Sequence, residues 1–120
     1  MPMTEEKIQE VIEGHQTRNA ELLRLIESKG ADLHKVFRPE HHFWAYSRDS
    51  ATELANELYK RGYRIMALSP GEDESGAKYW NIEASIERTP AEAASTKTTE
   101  ELVRLAAALD AEYDGWGLSV

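Results

Sequence analysis

The chain has 120 residues, with 22 acidic and 14 basic side chains and a net charge of −8. That length fits one domain burying roughly two-thirds of its unfolded surface, and 41% hydrophobic with 30% charged residues is too apolar for a chain disordered throughout. Without cysteine it has no disulfide, no thiolate nucleophile and no cysteine-ligated metal, and its negative charge repels nucleic-acid phosphates, which argues against direct RNA or DNA binding.

The first element is a long amphipathic helix over Thr4 to Ser28, because Ile8, Val11, Ile12, His15, Leu22, Leu23 and Ile26 recur at spacings of three and four. Thr4 caps its start, Glu5 and Glu6 suit its positive end, and Gly30 ends it. His15 and Asn19 interrupt the apolar stripe, which predicts a bend or a loosely packed first half. The segment before it has neither a basic start nor an apolar run, and no stretch reaches the roughly 20 apolar residues of a membrane span, so the expectation is a soluble cytoplasmic protein.

From Leu33 the helical period gives way to β-formers, predicting a strand over His41–Tyr46. If Phe43 points inward, then His42, Trp44 and Tyr46 lie together on the outer face, under the N-terminal helix or open to a partner. Ser50-Ala51-Thr52-Glu53 reads as a capping box opening a helix that buries Leu54, Ala55 and Leu58 and stops at Gly62. A strand over Tyr63 to Leu68 follows, then a polar turn from Pro70 to Gly76. Lys78 to Arg88 alternates, with Trp80, Ile82, Ala84 and Ile86 on one face and Tyr79, Asn81, Glu83 and Glu87 on the other. Thr89 to Lys97 is a connector with room for a helical turn, and Thr98-Thr99-Glu100-Glu101 reads as a second capping box before a helix burying Leu102, Leu105, Ala106 and Leu109. A short strand within Tyr113 to Val120 closes the chain.

This order predicts an α+β fold, a ferredoxin-like two-layer βαββαβ sandwich with an antiparallel sheet, in which residues 31–120 form the folded unit and residues 1–30 add a helix. The sheet face opposite the two crossover helices is then left for that helix or for a partner.

The sequence offers little for catalysis. His41 and His42 are neighbours on a strand and point to opposite faces, so they cannot jointly hold one metal ion, and His15 and His34 lack ligand-type neighbours at suitable spacing. Nucleophile-elbow, phosphate-loop and zinc-helix motifs are absent. The expectation is a non-enzyme without cofactor or metal that binds another protein, for which a negative field suits a basic surface. A ligand-binding or catalytic pocket around His42, Trp44 and Tyr46, and an acidic immunity-type nuclease inhibitor, are the alternatives.

The closing segment Ala111-Glu112-Tyr113-Asp114-Gly115-Trp116-Gly117 resembles the terminal signature of the regulator of ribonuclease E activity B family. Glu40-His41-His42-Phe43 resembles that family's acidic-His-His-apolar segment, and Tyr59-Lys60-Arg61-Gly62-Tyr63 its helix-to-strand join, so the similarity runs from about Leu33 to Gly117. The resemblance implies a ferredoxin-like fold and a non-enzymatic role, since members bind and inhibit the endoribonuclease ribonuclease E and so alter transcript lifetimes. The best-known members carry a long acidic tail after the motif, whereas this sequence ends at Val120. His41, His42, Trp44, Tyr46, Asp114 and Trp116 are the candidate partner-binding residues. By their own chemistry Asp114, Gly115 and Trp116 suit a terminal turn and strand packed into the core as well as a partner contact.

Overall fold

The computed structural model describes residues 3–119. It contains eight elements: α1 (Glu5–Ser28), β1 (Glu40–Ala45), α2 (Arg48–Lys60), β2 (Arg64–Glu72), β3 (Lys78–Ser85), α3 (Pro90–Ala93), α4 (Thr96–Ala108) and β4 (Ala111–Gly117). The four strands form one sheet in the order β2-β3-β1-β4, with each neighbouring pair antiparallel. The crossover through α2 joins β1 to β2, and that through α4 joins β3 to β4. Each skips one strand, and the skipped strand lies between the two it joins.

Helix α1 begins as its sequence dictates, with the Lys7 amide donating to Thr4 Oγ1 at 3.2 Å. It closes with Gly30 N–H on the Glu27 carbonyl and Ala31 N–H on that of Ile26, the paired bonds that satisfy orphan carbonyls. His15 and Asn19, expected to loosen the helix, are instead 2% and 6% exposed and sit on its buried stripe between Ile12 and Ile26. They are the polar part of a continuous contact, because the surface facing them supplies hydrogen-bond partners.

Helix α2 starts three residues before the expected box. Strand β1 ends at Ala45, so the first residue able to cap is Ser47, whose Oγ accepts from Ser50 N–H at 3.0 Å. The same shift occurs before α4, where Ser95 Oγ accepts from Thr98 N–H at 3.2 Å. Thr98 and Thr99 are buried, with their hydroxyls engaged by Arg88 and Asn19. The capping box that does form is Thr89 with Glu92, which opens α3 inside the expected connector.

Strand β2 extends through Pro70 and Gly71 to Glu72, segments expected to turn. Proline is tolerated because β2 lies at the sheet edge, where one row of amides needs no strand partner. The turn shrinks to the residues after Glu72, where Asp73 Oδ1 accepts from the amides of Ser75 and Ala77. Strand β3 stops at Ser85, and Arg88 forms only an isolated bridge with Phe37. Strand β4 begins at Ala111, and the expected final residue, Val120, lies outside the described residues. Its pairing with β1 slips between His42 and Phe43, and Gly115 in that bulge has φ +115°, a conformation side chains resist.

In the main core cluster Phe43, Ile82 and Tyr113 of the sheet meet Leu54 and Leu58 of α2 and Leu102 of α4. Ile12 of α1 belongs to the same cluster, while Ile26 packs with Ala93 and Trp116 in a smaller one. Helix α1 therefore lies on the same side of the sheet as α2 and α4, beside α4. Arg104 of α4 clamps its first turn, donating to both Glu5 carboxylate oxygens at 2.6 and 2.9 Å. The possibility that α1 covers the opposite sheet face is thereby excluded.

Candidate functional site

Strand alternation sorts the six candidate residues. Phe43 is 1% exposed, so the even-numbered residues of β1 turn away from the helices. Trp44 is 38% and Tyr46 54% exposed, Tyr46 at the sheet's edge just past the end of β1, where a small cleft also takes in Ala107 of α4.

On this open face Trp44 stands opposite Glu112 of β4 and Asn81 of β3. Its indole stacks on the Tyr79 ring with centroids 5.3 Å apart and an interplanar angle of 26°. Tyr79 is held from beneath by Gly71, where an added Cβ would lie only 2.6 Å from the ring. The Tyr46 hydroxyl donates to Glu112 Oε2 at 2.5 Å, and that bond, with burial and the charges of Glu112 and Asp110, pushes the phenol up to about 12. His42 Nδ1 lies 3.4 Å from Glu83 Oε1 of the facing strand. The surface is thus a row of flat aromatic rings edged by carboxylates.

His41 and Trp116 are elsewhere, 0% and 8% exposed on the helix side of the sheet, so neither presents a surface to a partner. The cause for His41 is its shared parity with Phe43. Its Nδ1 lies 2.8 Å from the Tyr113 hydroxyl, and Nε2 is buried without a partner. Burial, reinforced by the charges of Arg88 and His42, holds this imidazole neutral, with its pKa down at about 3. Trp116 donates from Nε1 to Asn19 Oδ1 at 2.9 Å. Asn19 in turn donates to Thr99 Oγ1, so the indole, α1 and α4 are tied at one point. Asp114 is exposed in the β4 bulge, lining a small cleft with His15 and Arg18, remote in direction from Trp44.

Sequence reading missed His15. Its Nε2 donates to the Tyr113 carbonyl at 3.0 Å while Nδ1 accepts from Arg18 Nη2 at 3.0 Å, which fixes the neutral tautomer. Burial and then Arg18 lower its pKa. The signal was present in the helical spacing, since His15 and Asn19 fall on the same face as Ile12 and Ile26. Tyr79 was also missed as a member of the open face, although its alternation with Trp80 gave its side.

His41 is 0% exposed and so cannot exchange a proton with a substrate, whereas His15, 2% exposed, borders the small cleft beside Asp114 with both ring nitrogens engaged. Among the described residues no group of three or more metal-ligating side chains could hold an ion. A cleft of about 540 Å³ lies around Arg88, Glu92, Ser95 and Lys97, on the helix side, and does not include His42, Trp44 or Tyr46. No helix of the described residues is long and apolar enough to cross a membrane.

Fold and surface define an α+β protein with one helix-covered and one open sheet face. The chain belongs to the family described as Regulator of ribonuclease activity B, whose pattern it matches over residues 16–118. It is 26% identical over 110 residues to the Regulator of ribonuclease activity B of Psychromonas ingrahamii, covering 92% of this chain and 91% of that one. It is 30% identical over 88 residues to the protein of the same name from Pseudoalteromonas translucida, covering 73% and 79%. The matched region includes α4, all four strands and the part of α1 that carries His15's neighbours from Gln16 onward.

Proposed function

We propose that this chain is a non-catalytic regulator that binds a ribonuclease, ribonuclease E or a related enzyme, through the open face of its sheet and restrains RNA cleavage. The observation that carries this reading is the exposed Trp44 stacked on half-buried Tyr79 and flanked by Glu112 and Glu83, on a face that α1 leaves bare. Aromatic side chains lose little conformational freedom on binding and bury large area, which makes them the usual anchors of protein interfaces. His42, Trp44 and Tyr46 form the contact set, while Trp116 and His41 hold the sheet that presents them. Strand order β2-β3-β1-β4 with two strand-skipping crossovers supports reading the fold as ferredoxin-like, and membership in a family named for regulating a ribonuclease supports a cytoplasmic setting for this role.

The test is cleavage of a fluorogenic RNA by full-length ribonuclease E with increasing amounts of the chain. Saturable inhibition is expected, weakened about tenfold or more by Trp44→Ala at unchanged thermal stability. Undiminished cleavage with the chain in large excess, or equal inhibition by Trp44→Ala, would refute the proposal.

A further inference from the structure

The chemistry of the open face also selects what it binds, given that this face is the regulatory surface. We infer that it takes an arginine-rich segment of a protein partner, with a guanidinium laid on the Trp44–Tyr79 pair and held by the Glu112 and Glu83 carboxylates.

Three features converge on that group. The exposed Trp44 indole, backed by the half-buried Tyr79 ring stacked against it, offers an aromatic surface, and a planar, weakly hydrated guanidinium stacks on such a surface better than a compact ammonium does. Glu112 faces Trp44 directly across the β1–β4 pair, and Glu83 lies diagonally across the β1–β3 pair, within reach of a long side chain lying on the indole. Tyr46 engages one oxygen of Glu112, which orients the carboxylate and leaves Oε1 without a hydrogen bond among the described residues. Such a fixed carboxylate suits the fork geometry of arginine.

Charge points the same way. Asp110 adds to the negative field around Tyr46. Two basic side chains of the sheet are committed elsewhere, Arg38 to Glu87 at the far end of the sheet and Lys78 to Glu72 in the hairpin, while His42 lies beside Glu83 on the face itself. With a net charge of −8 the whole molecule draws a cationic segment toward this surface.

The experiment is a calorimetric titration of the full chain with a synthetic arginine-rich peptide, its lysine counterpart and its citrulline counterpart. The inference predicts binding of the arginine peptide, roughly fivefold or more tighter than the lysine peptide, with none for citrulline. Trp44→Ala and Glu112→Gln should each weaken it by about that factor, and Glu21→Gln, on the exposed side of α1, should not. Equal affinity for arginine and lysine peptides, absence of binding, or indifference to both face variants overturns it. Run beside the ribonuclease assay, the outcomes separate. Loss of inhibition by Trp44→Ala without arginine-peptide binding sinks this inference and leaves the regulatory face standing. Arginine-peptide binding that Trp44→Ala abolishes, with inhibition unaffected, sinks the regulatory reading of the face instead.

Discussion

Tyr113 shows how much one residue can hold in place. Its carbonyl accepts from His15, its hydroxyl meets His41, and its ring packs on Phe43 at 5.1 Å. Burial keeps both histidines neutral, and the sign of the resulting pH dependence follows. His41 has a folded pKa of about 3, below its unfolded value near 6.5, so the unfolded chain binds more protons in between. Its contribution to stability is complete above pH ~6.5 and is lost as pH falls toward the folded value. At pH ~5, before carboxylates dominate, unfolding should take up about one proton for His41 and a further fraction for His15. Urea titrations over pH 5 to 7 should therefore show midpoints rising with pH, and His41→Phe should flatten that slope. Trp116 makes a separate prediction. Trp116→Ala should cost about 3–5 kcal/mol, as expected for a buried indole. Trp116→Phe, which leaves Asn19 Oδ1 without its donor, should cost about 1–3 kcal/mol, both read by urea unfolding.

At the scale of elements, the helix starts distinguish local pattern from tertiary choice. Ser50 and Thr98 begin segments with the right residues for capping boxes, yet a polar residue three positions earlier takes each cap. A capping motif specifies that a helix begins nearby, and the end of the preceding strand or turn decides which residue leaves the helical path. Ser47→Ala should thus lower stability by about 1 kcal/mol, whereas Ser50→Ala should stay within about 0.5 kcal/mol, a contrast thermal unfolding can read. Alternation along β1 and β3 and the 3.6-residue period of α2 and α4 were legible, because each is set by burial against a single layer. The placement of α1 was not, since periodicity shows which stripe is buried and does not say against what. His15 and Asn19 looked like defects in an apolar stripe because their partners, Tyr113 and Trp116, lie nearly one hundred residues away. The outward group of His42, Trp44 and Tyr46 was readable once Phe43 was taken as inward. The separation of His41 and Trp116 from that group needed the sheet itself.

For the whole molecule, all the helices lie on one side, and this is what gives the protein two different surfaces. The helix side seals its polar groups into the interior, and the open side exposes aromatics among carboxylates. Long-range charge acts on that open side during encounter. Raising ionic strength from about 0.05 to about 0.5 M should slow association with the ribonuclease while leaving dissociation less affected, a difference stopped-flow kinetics can resolve. The chain's three tryptophans supply a direct probe of the surface that is used. In an NMR titration with the ribonuclease partner, the indole N–H signal of Trp44 should shift or broaden, while that of Trp116, bonded to Asn19, keeps its position. A complex that moves the Trp116 signal and leaves Trp44 unchanged would contradict the account.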